Sequence, residues 1–209
     1  LMLLGLSEPT KGHCRVLGAD PLKEPLRVKA QVGYMAENMG IYRDLTARQN
    51  LKFVAELNKL KNAASAMDEV LEMVGLAEAA DKKAGDFSRG MRQRLGLAEV
   101  LIKKPKLVFL DEPTLGLDPE GIAAIMELIE RLPREMGLSV ILSSHLLHLV
   151  SRVATRVGLL HRGKLLAEGA IAELAEKFGL PTDLEAVYRH CLRKAESPEV
   201  AESSVGAAR

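Results

Sequence analysis

The 209-residue chain has no tryptophan, and aromatic residues make up only 3% of it. Its core must therefore be built from Leu, Val, Ile, Ala and Met, and the scarcity argues against a stacking platform for single-stranded nucleic acid. An excess of one charge sign is missing too. The 29 basic and 28 acidic residues leave a formal charge of +1, so no electrostatic footprint for DNA or RNA is visible and no nucleic-acid partner is expected. Cysteine is nearly absent: Cys14 and Cys191 lie far apart, with no CxxC or His-rich spacing. That pattern argues against a zinc site or a disulfide framework, and a reducing cytoplasm is its plain reading. No apolar run approaches the roughly 18 residues a membrane span needs. If a membrane is involved, another chain is expected to cross it.

What is present is ordinary for a globular protein, with 47% apolar and 27% charged residues. The opening "LMLLGL" reads as the tail of a helix closed near Gly5, followed by a turn around Pro9 and Gly12. A helix end without its beginning leads to the expectation that upstream sequence is missing. Next, "HCRVLG" and "QVGYM" read as short strands separated by a basic, Pro-containing connection. Thr46 and Gln49 then form a capping box ahead of Leu51, Val54 and Ala55. Met67, Val70, Leu71 and Val74 recur at helical spacing until Gly75. Residues from about 44 to 86 are thus expected to form an inserted helical block.

From Phe87 onward the pattern alternates. It predicts an amphipathic helix to about Lys104, a strand ending at Asp111, a helix from about Pro119 to Leu132, and a strand "LSVILSS" running into His145. Helices alternating with near-continuous apolar strands imply a parallel sheet covered on both faces. "RVGLLHRGKLLAEG" reads as a hairpin turning at Arg162 and Gly163, and Leu184, Val187, Tyr188, Cys191 and Leu192 mark a further amphipathic helix. The last residues, "ESPEVAESSVGAAR", have the composition of a disordered tail.

Two constellations could carry chemistry. In open parallel sheets ligands sit at the carboxyl ends of the strands, where Asp111, Glu112 and His145 all fall. One acid there can hold Mg²⁺, and its neighbour can orient or deprotonate an attacking water. In isolation the same acids read equally as helix caps or turn residues, and a lone His as a satisfied polar residue. In "FSRGMRQRLGLAEVL", Ser88 is placed as an N-cap and Gly90 allows close approach to a helix N-terminus, which favours anionic oxygen. An ordinary Ser-capped helix is the plainer alternative. His13, His148, His161 and His190 have no such company and read as surface or packing residues, and Lys103 and Lys104 as a solvated helix end.

Taken together, these segments resemble the nucleotide-binding cassette of the ABC transporter family. "FSRGMRQR" is similar to the signature motif LSGGQ, with Arg89 at its first glycine and Met91 at its glutamine; "LVFLDEP" resembles Walker B, "TLGLDP" the D-loop with Asp118, and "LSSH" the switch histidine His145. Glu37 stands where the widest consensus has glutamine, a form similar to the branch serving ABC-2 type exporters. A carboxylate there could ligate Mg²⁺ but cannot donate an N–H, and an ordinary loop carboxylate is the alternative reading. No GxxxxGK[ST] phosphate loop occurs in these residues.

The resemblance implies an α/β, P-loop NTPase-type parallel sheet with an inserted helical subdomain. The expectation is that it is N-terminally truncated, lacking the Walker A portion, and therefore inactive as it stands. The expected division is a partial ATPase core over 1–43, a helical subdomain over 44–86, core with signature, Walker B, D-loop and switch histidine over 87–170, and a helical extension and tail over 171–209. The implied ligands are ATP and Mg²⁺, with Asp111 on the metal, Glu112 as general base, and His145 and Glu37 sensing the γ-phosphate. Ser88, Arg89, Gly90 and Met91 would bind nucleotide across a dimer of cassettes, identical or not, with Asp118 coupling the two sites. The implied partner is an integral membrane permease touched by the loop from Glu37 to Asp44, and the implied location is the cytoplasmic face of the membrane. Two other readings stand beside it: an inactive remnant or regulatory module, and a soluble ATPase of this type acting on ribosomes or DNA.

Overall fold

The computed structural model describes residues 1–37 and 39–196. The expected tail beyond 196, and Asn38 in the loop after "QVGYM", lie outside the described residues. The chain separates into two compact units, Leu1–Ser144 and His145 onward.

The first unit is organised around three parallel strands in the order β1-β2-β3: β1 (Val32–Met35), β2 (Leu107–Asp111) and β3 (Ser139–Ser143). The register sets Tyr34 beside Phe109 and Asp111 beside Ser143. β1 is preceded by α1 (Pro25–Gln31), whose first residue is proline. The Pro-containing stretch expected as a plain connection is therefore a helix, because proline's fixed φ and missing N–H suit a first turn. "HCRVLG" is not a strand. Leu17 and Gly18 take φ of 50° and 79°, and Val16 and Ala19 exchange backbone hydrogen bonds across that tight turn. The opening residues form a short 3₁₀ turn, Met2–Leu4, closed by Gly5, with Leu4 buried in a cluster that includes Val28 and Val32.

α2 (Ala47–Leu57) starts at the capping box, where Gln49 N–H donates to Thr46 Oγ1 at 3.1 Å and Thr46 N–H to Gln49 Oε1 at 2.8 Å. α3 (Ala63–Met73) follows, and the two bury Leu51, Ala55, Val70 and Leu71. α4 (Arg89–Leu101) runs along β1 so closely that a Cβ on Gly33 would fall 2.4 Å from Val100 Cγ1. α4 buries Leu95, Leu97, Ala98 and Leu101, each of the leucines stabilising by roughly 1.5–3 kcal/mol relative to exposure. α5 (Pro119–Met136) runs past the expected end at Leu132 and contains Pro133. It terminates at Gly137, which takes the left-handed φ of 64° and donates its N–H to the Pro133 carbonyl at 3.1 Å.

In the second unit a hairpin of β4 (Val157–His161) and β5 (Lys164–Gly169) turns at Arg162 and Gly163. Val157 and Leu159 on the hairpin share a cluster with residues of α7 (Ile171–Phe178) and α8 (Leu184–Glu196): Leu174, Ala175, Leu184, Val187 and Cys191. A short α6 (Leu147–Val153) packs Leu147 and Val150 against that cluster. Its one-face apolar pattern, seven residues long, was too short to stand out from the sequence. Among the described residues, no helix is long and apolar enough to cross a membrane.

Candidate nucleotide-binding site

The central strand β2 ends in Asp111, and its neighbours on both sides supply hydroxyls. Ser143 Oγ donates to Asp111 Oδ1 at 2.6 Å, and Tyr34 Oη donates to Asp111 Oδ2 at 3.4 Å. Neither Tyr34 nor Ser143 stood out in the sequence. The signal lies in the register: once β1, β2 and β3 are paired in parallel, both end beside Asp111. Burial raises the Tyr34 phenol above its ordinary value, and the neighbouring Asp111 carboxylate raises it further by charge and by hydrogen bonding.

Glu112 follows with φ 46°, a left-handed conformation that costs an L-residue about 1–2 kcal/mol. The turn is fixed from several sides. Glu112 N–H donates to the Ser143 carbonyl at 3.1 Å and lies 3.3 Å from Ser143 Oγ, and Leu115 N–H donates to the Glu112 carbonyl at 3.0 Å. Pro113 and Thr114 beneath it are buried. Asp111 and Glu112 themselves are half-buried, open enough for a ligand to reach.

The second constellation is the start of α4. Ser88 caps it, accepting from Met91 N–H at 3.1 Å. Ser88, Arg89, Gly90 and Met91 line a groove of about 660 Å³ together with Gly116, Asp118 and Gly121. The Arg89 guanidinium lies over Gly116: a Cβ there would be 2.4–2.6 Å from its Cζ, Nη1 and Nη2, and φ of 68° again requires glycine. Asp118 caps α5, accepting from Gly121 N–H at 2.9 Å. The fold therefore brings the signature-like and D-loop-like segments to one groove. Glu37 is exposed on the segment after β1, and His145 begins the second unit.

Mg²⁺ bound with a nucleotide keeps several waters and takes only one or two carboxylates from the protein. Asp111, with hard oxygen donors beside it, fits that requirement. A dedicated protein cage is a different matter, since no group of three His, Cys, Asp or Glu side chains suited to a metal occurs among the described residues.

An α/β domain with a parallel sheet, acids at the carboxyl end of its central strand and a capped helix opening on a groove belongs to the P-loop NTPase-like class. The family model described as ABC transporter matches residues 1–115, and the chain belongs to that family. That match begins at the first residue. It overturns the expectation of an N-terminally truncated cassette lacking its Walker A portion, and with it the expectation that the chain is inactive.

The chain is 42% identical over 167 residues to the bacitracin transport ATP-binding protein BcrA of Bacillus licheniformis, covering 80% of this chain and 54% of that protein. It is 34% identical over 186 residues to the linearmycin resistance ATP-binding protein LnrL of Bacillus subtilis, covering 88% and 60%. The chain thus spans about half the length of the curated relatives it matches. A solved ATP-binding subunit of an ABC transporter superposes with a TM-score of 0.79 at 27% identity, covering 91% of this chain and 80% of that one.

Proposed function

We propose that the protein containing these residues is the ATP-binding and hydrolysing subunit of an ABC transporter, powering export through a separate membrane subunit. The observation that carries this is the paired acids Asp111 and Glu112 at the end of the central strand of a sheet that matches the family in sequence and in fold. The names of its relatives, a bacitracin transport protein and a linearmycin resistance protein, favour export as the direction.

Bound ATP with Mg²⁺ supplies the phosphoryl group to be transferred. Asp111, oriented by Ser143 and Tyr34, is the carboxylate that holds the metal. Glu112, aimed by its left-handed backbone, accepts the proton of the attacking water. His145 and Glu37 sense the γ-phosphate. The first-turn amides of α4, with Ser88, Arg89, Gly90 and Met91 around them, take phosphate bound to a second cassette, identical or not, because a helix N-terminus favours anionic oxygen. Asp118, across the same groove, couples the two sites. The loop from Glu37 to Asp44 touches the permease, on the cytoplasmic side of the membrane.

The test is Glu112→Gln in the full-length protein. ATP binding should persist while hydrolysis falls by about 10² to 10⁴, the range that general base catalysis supplies. Near-normal steady-state hydrolysis would remove Glu112 from the role.

A further inference from the structure

The turn that carries Glu112 is tied to α4 by a hydrogen bond that involves neither the paired acids nor the capping serine. Gln93, one turn into α4, donates from Nε2 to the Pro113 carbonyl at 2.6 Å, across 20 residues of sequence and partly buried. Three successive peptide planes around Glu112 are then each held by a different partner. The Glu112 N–H is bound by the Ser143 carbonyl, the Glu112 carbonyl by Leu115 N–H, and the Pro113 carbonyl by Gln93. Inside the turn the next backbone bond runs from Leu117 N–H to the Thr114 carbonyl at 3.2 Å, so it leaves the Pro113 oxygen to Gln93.

This matters because Glu112 sits at φ 46°, a conformation that persists only where the surrounding structure holds it. We propose that Gln93 is a positioning residue for Glu112: it fixes the second peptide plane beyond the acid, Pro113–Thr114, and so holds the turn that presents the carboxylate. Arg89, one helical turn earlier on α4, covers Gly116 further along the same loop. The helix that opens on the groove therefore grips the acidic turn at two points. A shift of α4 is transmitted to the Glu112 carboxylate within one chain. The proposal rests on the reading of Glu112 as the base.

The experiment uses ATP turnover by the full-length protein. Gln93→Met keeps the length and removes the donor; kcat should fall about tenfold while KM for ATP stays within about twofold, since misplacing a reacting group costs rate more than binding. Gln93→His, whose ring N–H can occupy nearly the same place as Nε2, should restore most of that loss. In a Glu112→Gln background, Gln93→Met should cause no further loss in single-turnover rate, because the group it positions has gone. An unchanged kcat in Gln93→Met, or an equal loss in both backgrounds, overturns the role of Gln93. So does slow turnover that merely tracks a reduced folded fraction in a thermal melt. If Glu112→Gln alone left turnover intact, the reading of Glu112 would fall first, which separates the two failures.

Discussion

The turn after β2 and the N-terminus of α4 hold their polar groups by different means. Asp111 and Glu112 are half-buried and gripped from distant parts of the sequence: Tyr34 from β1, Ser143 from β3 and Gln93 from α4. Ser88 is exposed and bonds only three residues ahead, to Met91 N–H, and Arg89 beside it is exposed as well. A site of the first kind is preorganised: its groups are set before a ligand arrives, and losing one holder disturbs the others. A site of the second kind presents a helix end and an exposed arginine to solvent, and under the proposed function that is the side that meets a second cassette. The contrast fits a division between chemistry at the strand end and docking at the groove.

That contrast is tested most severely in the middle of α4, where the helix leaves the surface. Burial raises Glu99 from 4.5 to about 7. A carboxyl whose folded value lies above its unfolded one is favoured in the protonated form, so it stabilises the fold at low pH, and that stability is lost as pH rises from about 4.5 to about 7. Glu99→Gln should leave stability near pH 4 almost unchanged and raise it by about 3 kcal/mol at pH 8, flattening the profile between. Denaturant titrations at the two pH values check this. Equal gains at both would mean that Glu99 is solvated, and that α4 is as open in its middle as at its start.

Next in size is Ser143→Ala, which removes the 2.6 Å donor to Asp111. A hydrogen bond to a charged group contributes about 1.5–3 kcal/mol, but Ser143 is exposed, so a loss of about 1–2 kcal/mol in stability is expected. ATP turnover should fall with it. A stability loss with full turnover would break the link between the hydroxyl and the orientation of Asp111.

Which features were legible in the sequence follows from the same division. The capping box at Thr46 and Gln49, the Ser88 cap and the Arg162–Gly163 hairpin turn all bond within a few residues, and short-range chemistry is written in the chain itself. The holders of the acids are not. Nothing in the sequence states that Asp111 lies beside Ser143, since parallel pairing skips over a whole helix. Nothing in the sequence sets Gln93 or Glu99 apart from the other polar residues of α4. "HCRVLG" failed as a strand because its alternation spans a turn with two left-handed residues, one of them Leu17, which no propensity favours there. The expectation of truncation failed differently. It rested on a helix end read at Gly5 and on one unmatched motif, whereas the family match takes in residues 1–115.

Ser88→Ala measures the second kind of site. Loss of an N-cap hydroxyl should cost about 1 kcal/mol, and Ser88→Gly only a few tenths, because glycine leaves the first amides open to water. Equal costs for both would show that Ser88 contributes packing as well as a cap, contrary to its exposure.

The smallest effect sharpens the first kind. Tyr34 Oη lies 3.4 Å from Asp111 Oδ2, at the long edge of hydrogen bonding, while its ring packs beside the cluster of Val28, Val32 and Leu107. Tyr34→Phe keeps the ring and should cost only about 0.5 kcal/mol near neutral pH, at the lower end for an intramolecular hydrogen bond. The informative measurement is at high pH. The phenol is raised above 10.0, by burial first and by Asp111 second, so the stability it contributes is present below 10 and is lost as pH rises through the raised value. Ultraviolet titration, with Tyr34→Phe subtracted to remove Tyr42 and Tyr188, should find one late-titrating phenol. Asp111→Asn should move it down only part of the way, because burial is the larger cause. A full return to the ordinary value would make Asp111 the main cause, and Tyr34 would then be a direct reporter of charge at the strand end.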